Sequence, residues 1–135
     1  MTDSNVLDAK KLALPLLTLR LGIFLVMLMW TLDKFYNPGH AIAIFDNFYS
    51  VPGVAAALVY TLAVLEMVLI LLFLAGLART WTYGLILLLH SGSTFSAFGL
   101  YLTPFDNLLF FAAWPMLAAC FALFILRDYD NLWVL

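Results

Sequence analysis

The sequence has few of the charged side chains that a soluble domain needs to face water. Only 10% of its 135 residues are charged, whereas 66% are hydrophobic, and the mean hydropathy is +1.07. Soluble domains carry about 25% charged and about 45–50% apolar residues. The composition therefore indicates one integral membrane domain over residues 1–135, with no separate soluble module. The net charge of −2 comes without a basic tract and gives no sign of nucleic-acid binding.

Cysteine and histidine are also scarce. Cys120 is the single cysteine, which excludes an intrachain disulfide and any paired-cysteine redox or zinc motif. In its apolar surroundings we expect a buried, inert thiol. Glu66 and His90 supply two metal ligands, whereas a catalytic metal usually has at least three protein ligands. Methionines nearby would suit copper, but no HxxxH or MxxM spacing occurs, so no metal site is predicted.

Long apolar runs are what the sequence has in abundance. A membrane-spanning helix needs about 20 apolar residues, and four segments qualify: 12–33, 54–77, 81–101 and 105–126. The segment 40–50 is too short to span, and its apolar residues recur at helical spacing, which predicts a short interfacial amphipathic helix. Pro115 is expected to kink the fourth helix and free the carbonyl of Phe111. The predicted fold is an all-α, up-down-up-down membrane four-helix bundle.

The basic residues predict the orientation of this bundle. Lys10, Lys11, Arg79 and Arg127 flank one side of the predicted spans, and only Lys34 flanks the other. The positive-inside rule then places both termini in the cytoplasm.

A few polar residues interrupt the apolar spans. With a rise of about 1.5 Å per residue, Arg20 lies roughly 12 Å and Glu66 about 10 Å from the inner membrane edge. His90 lies about one helical turn further out. The shared depth predicts an Arg20–Glu66 ion pair with His90 nearby. Two interpretations stay open: a proton relay or head-group anchor, and a structural pair that fixes the helix register.

His90 is the strongest functional candidate among these residues. An imidazole in the bundle can bind a quinone carbonyl, carry protons or simply satisfy a hydrogen bond in the core. Thr94 lies one turn from His90 on the same helix face, and Trp114 can stack on a quinone ring or pack in the core. The candidate proton or head-group residues are therefore His90 and Glu66, and the candidate quinone site comprises Arg20, His90, Thr94 and Trp114.

Two sequence stretches carry a family resemblance. RLGIFLVMLMWTLDKF in the first span and LEMVLILLFLAGLART at the end of the second, together with the four-span layout, resemble the DoxX/DoxD-like family of small membrane proteins. The residues that fit are Arg20, Lys34, Glu66, Gly76 and Arg79. The resemblance implies a bacterial cytoplasmic (inner) membrane and an association with redox work, in which some members resemble a quinone-reducing subunit.

Two functional hypotheses follow. The first is a DoxX-like membrane subunit of a quinone-linked oxidoreductase, with Arg20 holding the Glu66 carboxylate and a partner redox subunit supplying the redox centre. The second is a non-catalytic accessory or scaffold subunit of a larger membrane complex. A transporter is less favoured, because four spans without clear repeats offer little alternating-access machinery. The expected partners are the lipid bilayer, other membrane or soluble redox subunits, and further copies of this chain.

Overall fold

The computed structural model describes residues 9–47 and 56–135, and the described chain is all-helical, as predicted. The six α-helices, numbered in chain order, are α1 (Ala9–Tyr36), α2 (Pro38–Asn47), α3 (Ala56–Leu74), α4 (Arg79–Ser96), α5 (Phe98–Tyr101) and α6 (Ala113–Ile125). Among the described residues there are also short 3-10 helices at Pro104–Asp106, Leu108–Ala112 and Arg127–Tyr129. Of the predicted interfacial segment 40–50, residues 48–50 lie outside the described part.

Helices α1 and α3 form the first packed pair, with α2 against both. Pro15 lies in the second turn of α1, and the Thr18 hydroxyl donates to its carbonyl at 2.6 Å. The short helix α2 buries Ala41 beside Val59 of α3. This contact seats α2 across the end of the α1–α3 pair.

Helices α4 and α6 form the second packed pair. The turn between α3 and α4 contains two residues with positive φ, Gly76 at 72° and Ala78 at 47°. At Ala97 the backbone (φ −85°, ψ 13°) separates α4 from α5, so the predicted span 81–101 is divided here. The Ser91 and Thr94 hydroxyls donate to backbone carbonyls four residues earlier in α4, which satisfies these groups within the helix.

The predicted span 105–126 is not one continuous α-helix. Its first part is formed by the two 3-10 helices, and regular α-helix begins only at Ala113. Pro115 is therefore the third residue of α6 rather than a mid-helix kink. Proline is tolerated there because an N–H in the first turn has no helical partner. Phe111, four residues earlier, lies in the 3-10 helix Leu108–Ala112.

Among residues 9–47 and 56–135, three segments are long and apolar enough to cross a membrane: Lys10–Tyr36, Ala56–Leu74 and Leu108–Ile125. These segments indicate a membrane protein. The main hydrophobic core lies between the two helix pairs, toward the α3–α4 turn, and includes Leu16, Phe73, Ile86 and Leu123. Both buried residues of α6, Cys120 and Leu123, lie in its second half. The helix pairs are thus closely packed around these residues.

Candidate functional site

Two clefts separate the helix pairs. The first, of about 770 Å³ and here called the α3–α4 cleft, is lined mainly by leucines such as Leu62, Leu65, Leu85 and Leu88. The second, of about 830 Å³ and here called the α1–α6 cleft, runs past Thr18, Gly22, Ala112 and Ala119. Residues lining both clefts are Val26, Trp30, Ile44, His90, Ser93 and Met116. The two clefts therefore meet around His90, and their volume and apolar lining are those of a small-molecule site.

His90 bridges the two helices of the second pair. Its side chain is buried, with 8% of the residue exposed, and Nε2 lies 3.0 Å from the carbonyl oxygen of Ala113. A carbonyl oxygen only accepts hydrogen bonds, so Nε2 carries the hydrogen of this contact. In a neutral imidazole the other ring nitrogen, Nδ1, is then a hydrogen-bond acceptor.

Glu66 pairs with Lys34, not with Arg20. Lys34 Nζ lies 3.0 Å from Glu66 Oε2, and the two side chains are 18% and 15% exposed. The Thr31 hydroxyl lies 2.7 Å from Glu66 Oε1 and equally close to the Met27 carbonyl. Lys34 and Glu66 both line the α3–α4 cleft. The carboxylate is thus held at the cleft by α1, with one partner on each oxygen.

Arg20 is fully buried in a different cluster. Its Nη1 lies 3.1 Å from Asp130 Oδ2 and 3.4 Å from the Tyr83 hydroxyl, which itself donates to Asp130 Oδ2 at 2.5 Å. The exposed fraction of the Arg20 and Asp130 side chains is 1% and 0%. The predicted Arg20–Glu66 pair is therefore wrong. None of Arg20, Tyr83 and Asp130 lines either cleft. Arg20 does not hold the Glu66 carboxylate.

The depth estimate failed for a geometric reason. Thr31, whose short side chain contacts Glu66, lies eleven residues after Arg20 in α1, which is about 16 Å along the helix axis. Side chains in a helix lean toward its N-terminus, so Lys34 also reaches back to the level of Glu66. The predicted depths were counted from separately estimated helix ends. This counting placed Arg20 and Glu66 at one level, although they lie about three helical turns apart.

The Arg20 cluster also fastens the end of the chain. Arg20 Nη2 donates to the carbonyls of Leu132 and Trp133, and Arg79 Nη1 donates to those of Arg127 and Asp130 at 2.9 and 2.8 Å. The Leu135 N–H donates to the Ala75 carbonyl at 2.9 Å. Residues 127–135 are thereby closed over the α3–α4 turn.

The remaining predicted site residues lie in helix contacts. Thr94 is buried and donates to the carbonyl of His90. The Trp114 ring packs against Phe95 and Tyr101, at centroid distances of 5.6 and 5.2 Å. Neither residue lines the α3–α4 or the α1–α6 cleft. Cys120 is buried in the core, and within residues 9–47 and 56–135 no group of three or more His, Cys, Asp or Glu is placed to hold a metal.

Sequence reasoning missed Asp130, Tyr83 and Trp30. Asp130 follows the last apolar run and was not named as a partner for Arg20. The sequence did contain a signal for Asp130. A buried arginine in the N-terminal half of α1 needs an anion at the same end of the bundle, and Asp130 lies there. Trp30 was not named as a candidate site residue, although it lines both clefts.

Comparison with known proteins adds no assignment. No protein-family model, no curated protein and no solved structure matches this chain. The candidate site is therefore defined by its own geometry: two apolar clefts that meet at His90, with the Lys34–Glu66 pair on the wall of one of them.

Proposed function

We propose that this chain is a four-span, DoxX-like membrane subunit that binds a quinone in a quinone-linked oxidoreductase system. The observation that carries the proposal is the meeting of two largely apolar clefts at one buried histidine. A quinone joins an apolar tail to a ring with hydrogen-bonding oxygens, and such clefts with few polar groups suit this kind of ligand.

The proposed fourth span is α4. The end of α3 contacts Leu135, and Arg79 at the start of α4 contacts the end of α6, so these three helix ends lie together. If α3 and the segment ending in α6 both cross the membrane toward this end, the helix between them must cross back. Eighteen residues extend about 27 Å, close to the hydrocarbon thickness of about 30 Å. Buried polar residues such as Thr82 and His90 lower its hydropathy without facing lipid.

The orientation and family assignment belong to the same proposal. The end where α3 and α6 finish carries Arg79 and Arg127, which favours a cytoplasmic location by the positive-inside rule, in a bacterial inner membrane. Gly76 is one of the residues that fit the DoxX/DoxD-like pattern, and its φ of +72° gives a conformational reason for glycine at that position.

His90 is assigned the proton-handling role. With Nε2 donating to the Ala113 carbonyl, neutral His90 offers Nδ1 as an acceptor for the hydroxyl of a quinol. Once protonated at Nδ1, the imidazolium donates to a quinone carbonyl instead. Reduction of quinone to quinol consumes two electrons and two protons. A partner redox subunit supplies the two electrons. His90 passes one proton to a quinone oxygen, and solvent water supplies the second proton and reprotonates His90. Glu66, held by Lys34, belongs to the head-group end of the site.

The test is purification from the native membrane in mild detergent, followed by mass spectrometry of subunits and of extracted quinone. We expect a bound quinone and a redox subunit with the wild-type chain. His90→Ala should lose the quinone, whereas His40→Ala, which changes the exposed histidine paired with Asp33, should retain it. Absence of quinone from the wild-type complex would contradict the proposal.

A second candidate function is a non-catalytic accessory subunit. The Arg20–Tyr83–Asp130 cluster favours it, because the most deeply buried charges fasten the chain end and do not face a cleft. Under this alternative, His90→Ala leaves electron transfer to quinone unimpaired in the reconstituted partner complex, and a larger complex purifies without quinone.

A further inference from the structure

We infer that the Lys34–Glu66 pair makes the α3–α4 cleft selective for a neutral amphiphile whose polar end accepts a hydrogen bond from Lys34. This inference deepens the proposed function and rests on it in taking the clefts as a ligand site. It adds a specificity-determining residue, Lys34, and a direction for the bound molecule.

The Lys34–Glu66 pair has unused hydrogen-bonding capacity. A lysine ammonium group has three N–H donors, and Lys34 Nζ contacts one carboxylate oxygen, Glu66 Oε2, at 3.0 Å. Both oxygens of Glu66 already have partners, Thr31 and Lys34. A carboxylate can accept about four hydrogen bonds, so Glu66 keeps acceptor capacity, and within the described part of the chain Lys34 has a surplus of two N–H donors. A ligand oxygen that accepts, such as a carbonyl, matches this surplus.

The Lys34–Glu66 pair also determines the charge of the α3–α4 cleft. Lys34 and Glu66 are the only charged residues that line the α3–α4 cleft among those described, and no charged residue lines the α1–α6 cleft. The positive charge of Lys34 and the negative charge of Glu66 cancel each other. A carboxylate or ammonium head group would bring an uncompensated charge into an apolar cleft, which is unfavourable. A neutral head group does not incur this cost.

The arrangement of the two clefts gives the bound molecule a direction. Lys34 lies near the end of α1, and Thr18, which lines the α1–α6 cleft, lies sixteen residues earlier, or about 24 Å along the axis. Trp30 and His90 line both clefts, so the path between these points is continuous. The head group lies at Lys34, and the apolar chain extends past Trp30 toward Thr18.

The experiment uses two probes with the same brominated chain and different head groups: a terminally brominated undecanamide, which is neutral, and the corresponding undecanoate, which is anionic. Bromine quenches tryptophan fluorescence on contact. The full chain in lipid nanodiscs, with Trp81, Trp114 and Trp133 changed to Phe, reports the clefts through Trp30. A matching chain that keeps only Trp81, which is 73% exposed, reports partition of the probe into the bilayer.

At a pH at which the undecanoate probe is ionised, the amide should bind more tightly than the carboxylate. Glu66→Gln keeps an oxygen for Thr31 and leaves Lys34 unneutralised, so carboxylate affinity should rise about tenfold, because a charged hydrogen bond is gained. Asp33→Asn removes a neighbouring charge that lines neither cleft and should change nothing. Lys34→Met/Glu66→Gln should weaken amide binding about tenfold.

Equal affinity of both probes for the wild type, or an unchanged carboxylate affinity in Glu66→Gln, would overturn the inference. Quenching of Trp30 no greater than that of Trp81 for either probe would also overturn it. These results are separate from the proposed function, which fails if the purified wild-type chain retains no quinone. A chain that shows the charge selectivity but holds no quinone would support the inference with a different neutral ligand.

Discussion

The two ends of this helical bundle each contain an ion pair, and the pairs differ in almost every respect. At one end Arg20 and Asp130 are fully buried, share Tyr83 and fasten the chain end. At the other end Lys34 and Glu66 are partly exposed and line a cleft. A buried charge closed off by protein partners can stabilise a fold, but a ligand cannot reach it. The comparison therefore separates architecture from binding: the Arg20 end holds the helix pairs together, and the His90–Lys34 end leaves them open.

The largest expected effect is at the closed end. Asp130→Ala should destabilise the protein by about 3–5 kcal/mol, because it leaves the Arg20 guanidinium buried without its anion. The free energy of unfolding in mixed micelles measures this effect. Arg20→Met/Asp130→Leu should be less destabilising than either single replacement, since no uncompensated charge remains. Lys11→Met, at an exposed position, is the control. A loss below about 1 kcal/mol for Asp130→Ala, the value of a surface pair, would show that the cluster is not structural.

The next effect comes from the contact between the chain end and the α3–α4 turn. A Cβ at Gly76 would lie 2.5 Å and 2.9 Å from the Cγ1 and Cβ atoms of Val134. Gly76→Ala should therefore cost about 2–4 kcal/mol, combining overlap with positive φ. Val134→Gly in the same chain should restore part of this stability.

Gly92→Ala is the control for Gly76→Ala, because a Cβ there meets nothing within 4 Å. Its effect should stay within about 1 kcal/mol. If the two alanine variants unfold alike, residues 132–135 do not pack on the turn as described.

At the open end His90 should matter less for stability than Arg20 or Gly76. His90→Ala removes one hydrogen bond to the Ala113 carbonyl and should cost about 1 kcal/mol, because lipid or detergent can fill the enlarged cleft. The same unfolding assay measures this effect. A loss as large as that of Asp130→Ala would place His90 with the architecture and weaken its proposed role.

The smallest expected effect is the coupling between Lys34 and Glu66. A double-mutant cycle with Lys34→Met and Glu66→Gln should give about 1 kcal/mol or less, since both side chains keep some exposure and such pairs are weak. The corresponding cycle for Arg20 and Asp130 should give a clearly larger value. Equal couplings would remove the contrast between the two ends.

The helices could be predicted from the sequence because they depend on local properties. Long apolar runs give α1 and α3, whereas the 3-10 geometry at Leu108–Ala112 was not predicted within the span 105–126. The partners of Arg20 could not be predicted in the same way. Asp130 is 110 residues away, and the chain segment that carries it folds back through contacts of Arg79 and Leu135 that no periodicity reveals. His90 was found because a histidine in an apolar helix is conspicuous, whereas the clefts on both sides of it depend on how the helix pairs diverge.

The most direct test compares both ends for the same property, the affinity for a short-chain ubiquinone in lipid nanodiscs. Wild type, His90→Ala and Arg20→Met/Asp130→Leu should be titrated at a temperature where all three are folded. The account predicts at least tenfold weaker binding for His90→Ala, consistent with loss of a hydrogen bond to the head group, and unchanged binding for the double variant. Unchanged binding for His90→Ala, or no saturable binding to the wild type, would contradict the claim that the open end is the functional one.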